Sequence, residues 1–230
     1  MAFLGLTGIF GMGLLLFTSL RFTISVNSGI LINANPIFIV LLAVFIGERV
    51  TFNKLFGILV GIIGCALVVV AQSGGSQRPP ENNLLGCALA AGSAFCWAAY
   101  TVAGKAMVQK YGGMVTTTLA TLIGAAMLLI LLMLTQAPLN LEPDVLAWIA
   151  FVGIGPTALG FFLWYHALNA IEAGRLAPLQ FIAPVGTAII GRIALGEQIT
   201  VFAIIGMLLV FLGIYCSAIR SAPAIEDGKR

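Results

Sequence analysis

Apolar residues fill long runs of this chain, and short polar breaks separate them. Eight runs are long enough to be helices that cross a bilayer: Ala2–Leu20, Asn27–Ile46, Leu55–Ala71, Leu84–Met107, Met114–Leu134, Val145–Leu168, Leu176–Leu195 and Val201–Ile219. A bilayer core about 30 Å thick needs roughly 20 helical residues to cross it. Between the runs lie Gly, Pro, Asn, Ser and the few charges. The longest break, SGGSQRPPENN at Ser73–Asn83, divides the chain into residues 1–72 and 84–220, with 73–83 as linker and 221–230 as a polar tail. The predicted fold class is an all-α integral membrane protein.

Composition agrees with the pattern. The chain is 60% hydrophobic and 8% charged, against about 25% charged in a soluble domain. A net charge of +3 spread over scattered basic residues offers nothing to nucleic acid. The partners expected instead are the lipid bilayer, a small-molecule solute and, as a candidate, a second copy of the chain. Cys65, Cys87, Cys96 and Cys216 sit in apolar runs without CxxC spacing or a nearby histidine. They read as small apolar side chains, so no metal or cofactor is expected. The first run lacks a basic start and a cleavage pattern, so it reads as a span and not as a signal peptide.

Arg49, Lys54, Lys105, Lys110, Arg175, Arg220, Lys229 and Arg230 share the side of the C-terminus, whereas Arg21 and Arg78 fall opposite and Arg192 lies near that opposite side. The excess of basic residues on one side places both termini in the cytoplasm, with the plasma (inner) membrane as the expected location.

The chain also resembles itself. At an offset of 148, Gly5 meets Gly153, Leu15 meets Leu163 and Pro36 meets Pro184. After one inserted residue, Gly47-Glu48 meet Gly196-Glu197, Thr51 meets Thr200, Gly57 meets Gly206 and Gly64 meets Gly213. The second copy has five spans and the first has three. An odd number of spans per copy sets the copies in opposite orientation. The absent counterpart of Leu84–Trp148 leaves two readings, a chain truncated at its start or a protein that works without two helices.

The block ANPIFIVLLAVFIGERVT (Ala34–Thr51) with Gly57, Gly61 and Gly64, and its echo APLQFIAPVGTAIIGRIALGEQIT (Ala177–Thr200) with Gly206 and Gly213, resemble the EamA-like drug/metabolite transporter family. The likeness covers nearly the whole chain apart from the tail. It implies a ten-span plan of two inverted five-span repeats, of which this chain looks like spans three to ten. It also implies transport of small organic solutes such as amino acids, other metabolites or drugs, often outward. The shared motifs are architectural and specify no substrate.

Candidate residues follow from what a membrane tolerates. Polar side chains inside spans are costly, so they mark sites or helix contacts. Asn33 and Asn35 flank Pro36. Gln180, Pro184, Thr187 and Gly191 share a helical face, as do Ser93, Trp97, Tyr100, Thr101 and Gly104. Phe162 and His166 share another, with Trp164 and Tyr165 adjacent. Asn33, Asn35, Trp97, Tyr100, Phe162, His166, Gln180 and Thr187 are the candidate cavity residues. Amides and hydroxyls suit zwitterions, and aromatic faces suit apolar or cationic groups. Pro36 and Pro184 are expected kinks or hinges. Gly57, Gly61, Gly64, Gly206 and Gly213 are expected to let helices pack closely.

No catalytic set is evident: every acid lies at a helix end, in a loop or in the tail, and His166 is the only histidine. A membrane-embedded lipid-modifying enzyme would want clustered acids and bases, so it ranks below transport, and an inactive or scaffolding relative remains as a further alternative. The phrase Gly-Glu-x-(Val or Ile)-Thr, at Gly47–Thr51 and again at Gly196–Thr200, reads as a tight turn. Gly ends one helix and Thr caps the next, with Arg49 and Lys54 marking the cytoplasmic copy.

Overall fold

The structure, a computed structural model, describes residues 1–48, 50–72, 82–136, 142–195 and 199–218. Arg49, Arg78, Gly196, Glu197, residues 73–81 of the linker and the tail lie outside them. Eight helices are long and apolar enough to cross a membrane: α1 (Ala2–Ser19), α2 (Asn27–Ile46), α3 (Phe52–Ala71), α4 (Asn83–Tyr111), α5 (Gly113–Thr135), α6 (Pro143–Ala170), α7 (Ala173–Ile190) and α8 (Val201–Ala218). These are the eight expected from the hydropathy pattern, and among the described residues every regular element is helical.

The turn chemistry explains the boundaries. Gly47 has φ of +83°. Its N–H donates to the carbonyl of Val44 at 3.0 Å, and the Glu48 N–H reaches back to Ala43 at 3.0 Å. This pair of bonds is a Schellman motif closing α2, with glycine where a Cβ would be strained. The α3 helix then begins under a Thr51 cap, whose Oγ1 accepts from the Lys54 N–H at 3.3 Å. Thr200 does the same for α8 through Ala203 at 3.2 Å. Both N-caps match the sequence reading.

The α3 and α8 helices are antiparallel and interlock through glycine. A Cβ on Gly57 would lie 2.5 Å from the Gly213 carbonyl oxygen, and one on Gly213 2.6 Å from that of Gly57. Gly64 and Gly206 repeat the arrangement at 2.6 and 2.7 Å. Gly61 instead lies under the ring of Phe181. Small residues are what allow backbones to come this close when lipid is as apolar as the helices themselves.

Two spans are broken near their middle. In α2, the helix Ser25–Ile32 ends at Asn33 and a new helix, Asn35–Ala43, starts with Pro36 in its first turn. In α7, Ala173–Leu176 passes into a 3₁₀ stretch, Ala177–Phe181, before the helix Ile182–Leu195. The expected kink at Pro36 is therefore a helix start, where a missing N–H costs little. Pro184 is buried in the first turn of its helix. A further irregularity recurs in α1 and α6: π-helical segments occupy Gly5–Gly11 and Gly153–Leu159, separated by the same 148 residues as the sequence repeat.

The two ends of the bundle differ. At the end carrying Lys54, Lys105 and Arg175, the core residues Tyr100, Tyr165, Leu168, Ala173 and Ala177 are fully buried. At the other end, α6 has no buried residue from Pro143 through Leu159. A Cβ on Gly153, Gly155 or Gly186 would meet no atom within 4 Å. A Cβ on Gly5, which the 148-residue offset aligns with Gly153, would by contrast lie 2.9 Å from the Ala120 carbonyl oxygen and the Gly124 nitrogen of α5.

Candidate functional site

Phe161, Trp164, Tyr165 and Leu168 form one stripe of α6, at i, i+3, i+4 and i+7. On α4 the stripe is Trp97, Tyr100, Thr101 and Gly104, with the same spacing. The two stripes face each other. Trp97 packs edge-on to Phe161 with centroids 5.2 Å apart and lies 5.8 Å from Trp164. Tyr100 stacks on Tyr165 at 4.6 Å. Gly104 allows this approach, because a methyl there would run into the Tyr165 hydroxyl.

Hydrogen bonds fix the rings. The Trp164 indole N–H donates to Thr101 Oγ1 at 3.2 Å, and the Tyr165 hydroxyl donates to the Tyr100 carbonyl at 3.0 Å. The Trp97 indole N–H donates to Gln180 Oε1 at 2.9 Å, in the 3₁₀ stretch of α7. Three buried polar atoms nearby in the fold have no partner among the described residues: Gln180 Nε2, Asn35 Oδ1 and the Tyr100 hydroxyl oxygen. Asn35 is only 7% exposed. An unsatisfied buried polar atom costs on the order of 1–3 kcal/mol, so each is an unspent capacity for a ligand's donor or acceptor.

The other candidates fall elsewhere. Asn33 donates its side-chain amide to the Gly29 carbonyl at 2.7 Å, ending its own helix. Thr187 is exposed and returns its hydroxyl to Ala183 at 3.0 Å. His166 is exposed and stacks on Phe162 with centroids 6.0 Å apart. Phe162 lines a groove of about 310 Å³ against Thr117, Thr118 and Thr121 of α5. Phe162 and His166 share a face of α6 as the sequence predicts, on a different stripe from the one that meets α4. Phe161 was overlooked, although its spacing to Trp164, Tyr165 and Leu168 mirrors the stripe recognised on α4.

Glu48 departs further from expectation. Its Oε1 accepts from Lys105 Nζ at 2.9 Å and from the Ala173 N–H at 2.8 Å; its Oε2 accepts from the Gly174 N–H at 2.8 Å. The side chain is 8% exposed. Beside it Lys54, itself buried, pairs with Glu172 at 3.2 Å. Burial alone would push the Glu48 carboxyl up; Lys105 and the two amides outweigh it and hold it below the ordinary carboxyl value. The tight turn at Gly47 thus carries a carboxylate that ties α2 to α4 and to the start of α7.

With this geometry in view, likeness to known proteins decides the family. The EamA-like transporter family model matches residues 1–70 and again 84–219. The chain belongs to the EamA-like transporter family. It is similar to the uncharacterized transporter YyaM of Bacillus subtilis, 31% identical over 92% of this chain and 70% of that protein. It is also similar to the aromatic amino acid exporter YddG of Ancylobacter novellus, 30% identical over 79% of this chain and 62% of that protein. A crystal structure 23% identical shares the fold at a TM-score of 0.83, covering 94% of this chain and 75% of that one. This EamA-like chain is therefore a membrane transporter by family, built on the expected apolar helices.

Proposed function

We propose that this EamA-like protein carries a small neutral or zwitterionic organic solute, such as an amino acid, out of the cell by alternating access between two halves of opposite orientation. The observation that carries the reading is the junction of the Trp97–Tyr100–Phe161–Trp164 cluster with the broken spans α2 and α7. Trp97 of the cluster holds Gln180, whose Nε2 is a donor without a partner, and the broken span α2 carries a second unpartnered buried atom, the acceptor Asn35 Oδ1. None of these side chains carries a formal charge. Aromatic faces hold an apolar or cationic part, and paired donor and acceptor suit an ammonium and a carboxylate. Broken spans at mid-membrane are the usual setting of a transporter's binding site.

Three further observations support the reading. The glycine contacts of α3 and α8 are reciprocal, as two equivalent helices of opposite direction require. The basic residues Lys54, Lys105, Lys110 and Arg175 gather at one end, which would be cytoplasmic, in a plasma membrane with both termini inside. The name of the Ancylobacter relative supports outward movement of an amino acid.

Reconstituted vesicles test the proposal. A panel of amino acids, nucleosides and cationic drugs should reveal a transported solute. Trp97→Ala and Asn35→Ala should each impair its movement while membrane insertion is unchanged. Wild-type rates in both variants would remove the cluster from the transport path.

A further inference from the structure

We infer that Glu48 is the gating residue of the transport cycle: its carboxylate, clasping Lys105 and the first amides of α7, holds the basic end of the bundle shut while the opposite end is open. The inference rests on the transport reading and adds to it a mechanical part that the turn motif alone does not suggest.

The bonds join parts of the chain that lie far apart in sequence. Glu48 is carried by the turn after α2. Lys105 belongs to α4, and Ala173 and Gly174 open α7, more than 120 residues on. The Schellman turn at Gly47 sets the position of Glu48 on its own side, so the clasp moves with α2 as a unit. A second pair, Lys54 with Glu172, spans the same gap, and Lys105 also donates to the Ile171 carbonyl at 3.4 Å. Directly behind this clasp lies the fully buried plug of Tyr100, Tyr165, Leu168 and Ala177. Nearer the far end, a Cβ on Gly186 of α7 would meet no atom within 4 Å. An end closed by ions and aromatic rings is what a carrier presents on the side it has shut.

The chemistry favours a clasp that can release. Glu48 and the ammonium of Lys105 lie at span ends and not in the apolar layer, so water can take over their solvation when they part. The amides of Ala173 and Gly174 are first-turn donors with no intrahelical partner of their own. They prefer an anion but are satisfied by water. Lys105 and the two amides favour the charged carboxylate, so release is assigned to the solute's own preference for the other state.

Paired accessibility measurements test this without needing a known solute. Leu176→Cys, in the plug behind the clasp, and Gly186→Cys, at the open end, are placed singly in a chain freed of its four native cysteines and held in lipid nanodiscs. Labelling by a charged maleimide is timed with and without Glu48→Gln. A neutral amide puts an NH₂ where Lys105 or an N–H must donate. Labelling at position 176 should accelerate at least fivefold, and labelling at position 186 should slow. Lys105→Met, which spares the amide bonds, should shift both rates in the same directions by less. A bond that only stitches the fold would, on loss, raise both rates or change neither, and either result overturns the gate. These rates are independent of transport: reciprocal shifts in a protein that moves no panel solute would leave the gate standing and sink the solute reading, whereas active transport with unshifted rates would sink the gate alone.

Discussion

Gly57→Ala adds one methyl group at the seam between α3 and α8. The new carbon would lie 2.5 Å from the Gly213 carbonyl oxygen, 2.6 Å from the Ser217 nitrogen and 2.9 Å from its Cβ. Two of these neighbours are backbone, so no rotamer change relieves them. Ordinary contact begins near 3.4 Å, so the helices must part by roughly 0.9 Å over that turn. Parting loosens the reciprocal Gly64–Gly206 contact as well. Overpacking of this kind costs about 1–3 kcal/mol, and the lost dispersion along the seam puts Gly57→Ala near the upper end. For a chain of this size that corresponds to a fall in melting temperature of about 6–12 °C. Gly186→Ala is the control. It makes the same chemical change inside a helix where nothing lies within 4 Å of the new carbon. Helix propensity alone then acts, and it stabilises by up to about 1 kcal/mol. Thermal unfolding in one detergent, followed by tryptophan fluorescence, compares the two. Equal melting temperatures for the variants would refute the claim that the seam is set by backbone contact.

Gly104→Ala should destabilise by about 1–3 kcal/mol because its methyl meets the Tyr165 hydroxyl, and adding Tyr165→Phe should recover part of that loss in a double-mutant cycle. Trp97→Phe keeps a ring but withdraws the donor to Gln180 Oε1; the concentration of solute for half-maximal transport should change about fivefold, the equivalent of about 1 kcal/mol, with little change in melting temperature. Glu48 contributes stability that is complete above the ordinary carboxyl value and lost as pH falls through its lowered one. Melting temperature should therefore be level from about pH 8 to pH 5 and drop in more acid solution, where Lys105, Lys54 and Glu172 are the charges facing it. Glu48→Gln should flatten that acid limb.

The eight spans, their caps and the glycine seam were legible because each follows from local rules. Apolar length dictates a crossing, Gly47 and Thr51 supply the backbone conformation and the acceptor that a turn needs, and small residues at helical spacing permit contact. The candidate site was half legible. Trp97, Tyr100, Asn35 and Gln180 stood out as polar or amphipathic groups inside apolar runs. Phe161 did not, since a phenylalanine in a span is equally at home against lipid. Gln180 was assigned to a continuous helical face with Thr187, but the 3₁₀ stretch shifts its direction, and no residue-by-residue rule reports such a shift. Glu48 was hidden for another reason. A charge beside a turn glycine is ordinarily solvated, and only the arrival of Lys105 and of the start of α7 buries it. That meeting depends on chain folded more than 50 residues away on one side and more than 120 on the other.

The matched π segments of α1 and α6 bear on descent. An i→i+5 bond encloses one residue more than the i→i+4 bond of an α-helix, so each segment accommodates an extra residue without breaking the span. An insertion arising after the chain had doubled would mark one half. Gly5–Gly11 and Gly153–Leu159 instead carry it in the same register. On the repeat reading, an irregularity in the same register in both halves is what two copies of one ancestral half would carry.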